Sequence, residues 1–199
     1  MRRLKFVVSG LGLGLVIGVV LLLAGGVAYL RSTGLSTRAE PGTVEAYTAR
    51  MARHLAIPSG VLAAQNPVSS TPEALADGMA HYADHCASCH ANDGSGNTEM
   101  GRGFYPKAPD MRLTATQELS DGELFYVIEN GIRFTGMPAW GTGTASGEES
   151  TWRLVHFLRR LPQLTSSEIE AMKERNPRSP EEIRLELEEE RFLNQGAQQ

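Results

Sequence analysis

Apolar positions are distributed unevenly along the chain, and the longest apolar run lies near its start. Residues 6–30 contain no charged side chain, and Arg2, Arg3 and Lys5 precede them. As an α-helix this run would be ~37 Å long, enough to cross a ~30 Å hydrocarbon core. A cleavable signal has a shorter apolar centre, so residues 1–30 predict an uncleaved transmembrane anchor, with a cleaved signal as the alternative. The basic start should stay in the cytoplasm, which places the rest of the chain across the membrane.

A polar tether is predicted over residues 31–70, which are rich in Ser, Thr, Gly and Pro. Within it, four apolar residues recur at helical spacing before a proline: Val44, Tyr47, Met51 and Leu55. This pattern predicts one short amphipathic helix. The helix could pack on the domain that follows or lie on the membrane surface, and we favour packing on the domain.

Three further stretches combine helical spacing with helix-start signals. A hydroxyl at Thr71, followed by a proline and a glutamate, predicts the start of the first helix. Ser120 and Glu123 form a capping box that predicts the second helix. A third helix should start near residues 150–151 and run to Pro162.

The remaining stretches carry less periodicity. Residues 91–119 are rich in Gly, Asn and Pro, and should take their order from something other than a local pattern. No segment has a convincing strand pattern, so the fold class is predicted to be all-α, with a compact domain over residues 71–164. Helix-start signals at Thr165 and Ser179 predict a partly helical tail over residues 165–199.

The net charge of −4 is concentrated in that tail. Residues 1–162 hold 14 basic and 14 acidic side chains, whereas residues 163–199 hold 5 and 9. We favour a solvated charged surface for the tail over a docking role. No basic stripe with interleaved aromatic residues is present, so nucleic acid is not an expected partner.

The candidate chemistry lies at the end of the first globular helix, where Cys86 and Cys89 are followed by His90. Cys-x-x-Cys-His is the attachment signature of c-type haem. Residues three apart share one face of a helix, so both sulfurs can form thioethers along one side of a porphyrin. His90 would then bind the iron. We therefore predict one covalently bound haem c, held by a small helical shell.

Two other interpretations of the paired cysteines remain open. A redox dithiol would be expected after a strand and at the start of a helix, whereas this pair closes a helical stretch. A zinc site would need a second pair of ligands, and the chain has no other cysteine.

A low-spin electron carrier needs a second strong axial ligand, and Met137 is the best candidate. It lies between Gly136 and Pro138 on a loop after the second helix, where the glycine permits close backbone approach. A His/Met ligand pair raises the reduction potential. The alternatives are Met100, Met111 and His156.

Over about residues 72–164 the sequence resembles the monohaem class I cytochrome c family. The resemblance rests on the Cys-x-x-Cys-His motif, the Gly94 and Gly96 loop, the Gly136-Met137-Pro138 segment and a closing aromatic helix. It implies the class I cytochrome c helical fold around one haem. The resemblance also implies that the haem is attached on the outer side of the bacterial inner membrane.

The resemblance also implies roles for further residues. A glycine and an aromatic residue on the first helix should cross the last helix, and Gly78 and Tyr82 match, facing Leu154 and Phe157. A proline carbonyl should accept from the proximal imidazole, which points to Pro109, with Pro106 next. The residues implied as holding the haem propionates are Arg102, Tyr105 and Trp140.

The predicted function is a single-pass protein of the bacterial inner membrane, with its haem domain in the periplasm. It would carry single electrons between a respiratory donor and acceptor, so we expect redox protein partners and no catalytic residues of its own. Lys107, Arg112 and Arg133 would form a basic rim for an acidic partner. The alternatives are a haem-bearing subunit of a dehydrogenase or oxidase complex, or a haem peroxidase or sensor with an open sixth position.

Overall fold

The computed structural model describes residues 2–178 and 180–196, with side chains described for residues 12–178, 181–189, 191 and 192. Its α-helices are α1 (Arg2–Thr33), α2 (Thr43–Ala56), α3 (Ser59–Leu62), α4 (Pro72–His81), α5 (Ala87–His90), α6 (Glu99–Gly103), α7 (Thr114–Gln117), α8 (Asp121–Asn130), α9 (Ala145–Arg160), α10 (Ser166–Lys173) and α11 (Pro180–Gly196). A π-helical turn, Tyr82–Cys86, joins α4 to α5, and a 3₁₀ turn, Leu161–Gln163, follows α9. These described residues contain no strand, so the all-α prediction is confirmed.

The chain divides into two compact units, residues 1–39 and 40–199. The first unit is dominated by α1, in which Gly12–Thr33 form a 22-residue span with a mean hydropathy of 2.5 and no buried side chain. A helix of this length and composition can cross a bilayer, which fits the predicted anchor.

In the second unit, α2 forms where the apolar spacing predicted it, but its apolar face does not pack on the domain. Val44, Tyr47, Met51 and Leu55 are all exposed, with 47–76% of their surface accessible. No residue of α2 is buried. α2 therefore contacts the domain, as we favoured, but through polar side chains and not through these four apolar residues.

The core is built where α4 crosses α9. Gly78 lets the two helices approach closely, because a Cβ at this position would meet the backbone and side chain of α9. Tyr82 and Phe157 continue the contact, with ring centroids 5.1 Å apart and both side chains buried. Leu154 is buried in the same cluster. The helix crossing implied by the family resemblance is thus present.

Helix α9 starts earlier than the apolar pattern indicated. The side chain of Thr144 accepts from the Gly147 N–H and caps a helix that begins at Ala145. Its first six residues are small or polar and mostly exposed, so the apolar periodicity that starts at Trp152 could not reveal them.

The three predicted cap signals within the described residues are confirmed. Thr71 accepts from the Ala74 N–H at the start of α4. Ser120 and Glu123 form the capping box of α8. In the tail, Thr165 caps α10, while Ser179 lies outside the described residues.

Part of the tail belongs to the packed structure. Met172 on α10 is fully buried in the core cluster, although it lies beyond residue 164, where we place the end of the domain. In the orientation that satisfies its amide, Asn176 donates to the carbonyls of Met172 and Ala83. The segment after α9 therefore contacts the stretch that leads into the cysteine motif.

Candidate functional site

The motif lies on a local change of helix geometry. The π-helical turn Tyr82–Cys86 has more residues per turn than the α-helix before it. The next helix, α5, carries Cys89 and His90. Both cysteines are half-buried free thiols. Burial, with a smaller contribution from Cys89, raises the pKa of the Cys86 thiol to about 12. A redox dithiol attacks through a thiol with a lowered pKa, so Cys86 does not have the environment of such an attacking thiol.

The ring of His90 is oriented inside the domain. Its Nδ1 atom is buried and has no hydrogen-bond partner of good geometry. Burial lowers the pKa of His90, and the backbone of Pro109, which faces the ring, partly opposes this effect. His90 is therefore favoured as a neutral imidazole, which is the form that binds a metal.

The loop after His90 folds back over the motif through backbone hydrogen bonds. The Gly96 N–H donates to the His90 carbonyl at 2.8 Å, and the Met111 N–H donates to the Gly94 carbonyl at 2.8 Å. Gly96 has a positive φ of 70°, and a Cβ there would lie 2.4 Å from the Ala108 carbonyl oxygen. Protein contacts thus supply much of the order that residues 91–119 lack in their sequence pattern.

The predicted basic rim is largely neutralised. Arg112 forms ion pairs with Asp93 and Asp110, at 3.0 and 2.7 Å. Lys107 pairs with Glu40 of the tether. These ion pairs connect loops to one another. The third residue of the rim, Arg133, is exposed.

The loop that carries Met137 is closed by its own hydrogen bonds. The Ile132 N–H donates to the Met137 carbonyl at 3.1 Å, and the Met137 N–H donates to the Thr135 hydroxyl at 3.1 Å. Gly136 packs against the Phe104 ring so closely that a Cβ would lie 2.5 Å from it. The Met137 side chain itself is half-buried.

The three alternative ligands have other surroundings. Met111 is buried in the core cluster. His156 Nε2 lies 2.7 Å from the Val68 carbonyl. Met100 is exposed, and its Sδ lies 3.3 Å from Cys89 Sγ. Met111 and His156 are therefore occupied by core packing and by a backbone carbonyl, whereas Met137 is not.

The residues implied as propionate partners lie in different places. Arg102 donates to Asn97 Oδ1 at 2.6 Å, and Tyr105 donates to Glu45 Oε1 at 2.7 Å. Trp140 lies edge-on to His85, with ring centroids 5.3 Å apart. These three assignments stay predictions.

Trp140 also lines a surface cleft that the sequence did not reveal. Its walls include His81, His85, Asp84 and Arg175. The His81 and His85 rings lie 4.9 Å apart, and His81 Nδ1 lies 3.0 Å from the Ser150 hydroxyl. The position of His85 directly before Cys86 was the one available signal that this cleft adjoins the motif.

Within the side chains that the structure describes, no three His, Cys, Asp or Glu residues converge to hold a metal ion. Cys86 and Cys89 are thus not joined there by the further ligands that a structural zinc site uses.

Comparison with known proteins identifies the family of this domain. Residues 73–158 match the family model described as cytochrome C oxidase, cbb3-type, subunit III. No curated protein matches the chain. The matched segment contains Cys86, Cys89, His90 and Met137, and it covers α4 through most of α9. Residues 73–158 are therefore a haem-binding electron-transfer domain of the monohaem class I cytochrome c family, carried by a chain whose N-terminal apolar helix fits a membrane anchor.

Proposed function

We propose that this protein is a membrane-tethered carrier of single electrons, with one covalently bound haem in the periplasm, between a respiratory donor and acceptor. The observation that carries the proposal is the segment Cys86–His90. It places two cysteines that are not joined to each other and a buried imidazole on one short stretch of a cytochrome c domain. Cys86 and Cys89 would form the thioether bonds, and His90 would bind the iron.

The surroundings of His90 support its role as the proximal ligand. A neutral imidazole has one N–H and one lone pair, so the orientation of the ring decides which nitrogen can bind iron. We assign the proton to the buried Nδ1 and propose that the Pro109 carbonyl, which faces the ring, accepts it once haem is bound. Nε2 then remains for the metal. Such an acceptor fixes the ring orientation and increases the basicity of the ligand.

Met137 is proposed as the second axial ligand. Its hydrogen-bonded loop fixes the backbone on both sides of the side chain, and Gly136 allows that backbone to lie against Phe104. When bound, the haem supplies the one-electron redox chemistry, whereas the protein supplies ligation, a dry environment and a surface for partners. A neutral thioether should favour the reduced state and keep small molecules from the sixth position.

Ligand substitution tests this assignment. The full chain would be produced in a host that attaches c-type haem, and its reduction potential and carbon monoxide binding would be measured. Met137→Ala should lower the potential and allow carbon monoxide to bind. Met100→Ala removes a similar side chain near Cys89 and is the matched control, which should retain the wild-type potential. An unchanged potential in Met137→Ala would show that the ligand is wrongly assigned.

The same measurements address the proposed covalent attachment and the open-site alternative. Haem bound through two thioethers should remain with the protein in acidified acetone, and Cys86→Ala with Cys89→Ala should release it. A peroxidase or sensor would bind carbon monoxide in the wild-type protein, whereas a six-coordinate carrier would not.

A second candidate function is that of a haem-bearing subunit of an oxidase complex. The family match favours it, because the matched family is described as a subunit of a cbb3-type oxidase. Native electrophoresis of mildly solubilised membranes separates the two candidates. A carrier should migrate alone, and a subunit should migrate with oxidase activity.

A further inference from the structure

We propose that α2 is an interfacial helix whose apolar face lies in the membrane surface and whose polar side holds the haem domain in one orientation above the bilayer. The relevant surface, here called the α2 apolar face, consists of Val44, Tyr47, Met51 and Leu55. This inference depends on the membrane anchor and not on the identity of the haem ligands.

The α2 apolar face points away from the domain. Ala46 and Arg53 are the half-buried residues of α2, and they lie seven residues apart on one side of the helix. At 100° per residue, this side is rotated by about 200° from Val44 and Met51. The helix therefore faces the domain with one side and exposes its apolar residues on the opposite side.

Polar contacts along the tether fix this orientation. Glu40 pairs with Lys107 ahead of the helix, and the Tyr105 hydroxyl donates to Glu45 in its first turn. Near the end of α2, His54 Nδ1 lies 3.0 Å from Glu123 Oε1. Because the contacts occur at both ends, the helix cannot turn its apolar face inward without losing them.

The linker between the apolar span and α2 is short, so α2 always lies close to a membrane that the span crosses. The apolar span ends at Thr33 and α2 begins at Thr43, so nine residues, 34–42, join them. Even fully extended, that linker covers only about 35 Å. A helix with one apolar face and a polar opposite side binds at the boundary between headgroups and acyl chains.

The charges near the α2 apolar face also fit a lipid surface. Arg50 lies on one flank of the face, and Arg38 lies in the linker. Anionic headgroups attract basic side chains near the bilayer surface. A Tyr in the middle of the face adds an amphipathic ring of the kind that is enriched at membrane interfaces.

Spin-label accessibility tests the proposal on the full-length haem-loaded protein in nanodiscs of phosphatidylethanolamine and phosphatidylglycerol. Nitroxides would be attached at Val44→Cys and Leu55→Cys, which are highly exposed and should tolerate the label. Ala49→Cys is the matched control, because it is exposed on the side of α2 opposite the apolar face. Labelling of the wild-type protein measures any background from Cys86 and Cys89.

The labels on the α2 apolar face should collide severalfold more often with dissolved oxygen, relative to a water-soluble nickel chelate, than the Ala49→Cys label does. Equal water-like accessibility at all three positions would overturn the proposal. Spin–spin broadening at Val44→Cys and Leu55→Cys would also overturn it, because a second copy of the chain would then cover the face. Incomplete haem attachment would appear as background labelling of the wild type, so failure of the proposed electron-transfer function is distinguishable.

Discussion

The backbone carbonyl of Arg153 lies so close to Gly78 that a Cβ atom at Gly78 would be 2.5 Å from the carbonyl oxygen. The added Cβ at Gly78 would also lie 3.0 Å from Phe157 Cβ. This contact is where α4 and α9 cross, and it brings Tyr82 onto Phe157 directly before the cysteine motif. The spacing of the two helices thus depends on the absence of a single methyl group.

Gly78→Ala should therefore destabilise the domain. The added methyl group meets backbone, which cannot rotate away, so we expect a loss of about 1–3 kcal/mol in the free energy of unfolding. Chemical denaturation of the detergent-solubilised protein, followed by circular dichroism, would measure it. Gly60→Ala is the control, because a Cβ there has open space. Equal stability of the two variants would contradict the close helix crossing.

A second prediction concerns Arg159, which joins α9 to the chain ahead of α8. Its guanidinium donates to the carbonyls of Gln117 and Leu119, at 2.7 and 2.6 Å, and pairs with Asp121 at 2.7 Å. A lysine is a point charge and cannot span these acceptors. Arg159→Lys should lower the free energy of unfolding by about 2 kcal/mol, because charged hydrogen bonds are lost at partly buried carbonyls.

The neighbouring arginine gives the control for that measurement. Arg160 has one long ion pair, 3.4 Å from Glu168, and both side chains are half-exposed. Arg160→Lys should change the stability by less than about 1 kcal/mol. If the two substitutions have the same effect in chemical denaturation, Arg159 does not have the structural role assigned to it.

The features that could be predicted from the sequence depend on residues that lie close together in the chain. Thr71 and Ser120 each cap a helix through residues three positions away, so the signal and the structure are local. The Cys86, Cys89 and His90 motif is recognisable for the same reason, since its chemistry requires a fixed spacing. Gly78 and Tyr82 were found through the family resemblance.

The features that the sequence did not reveal depend on residues far apart in the chain. The start of α9 was hidden because residues 145–150 are small or polar and mostly exposed, so no apolar periodicity marks them. The amphipathic pattern of α2 predicted its existence but not which side would face the domain. That outcome follows from contacts such as His54 with Glu123, which are 69 residues apart.

The contact between His54 and Glu123 leads to a prediction about pH. Burial alone would raise the pKa of Glu123, but hydrogen bonds from His54 and from the Ser120 N–H outweigh burial and lower it below 4.5. Because the folded protein then binds this proton less readily than the unfolded chain does, the stabilisation is present above about pH 4.5 and is lost as the pH falls through the folded-state pKa.

Glu123→Gln should remove this dependence. The difference in free energy of unfolding between wild type and variant should shrink as the pH falls from ~6 to ~3, measured by denaturant titration at each pH. Glu118→Gln removes one charge from an exposed position nearby and controls for the change in net charge. A difference that stays constant over this range would contradict the assigned role of the carboxylate.

The last prediction distinguishes the two parts of the tail. Met172 on α10 is fully buried and contacts the core cluster, whereas the described side chains of α11 are exposed. Met172→Ala should lower the free energy of unfolding by about 2–5 kcal/mol, because a cavity forms where the side chain packed. A chain ending at Arg178 removes α11 but no described core contact, so its stability should stay within about 1 kcal/mol of wild type. Chemical denaturation of both proteins measures the difference. If the shortened chain were the less stable of the two, the core would extend into α11; if neither changed, α10 would not be part of the folded domain.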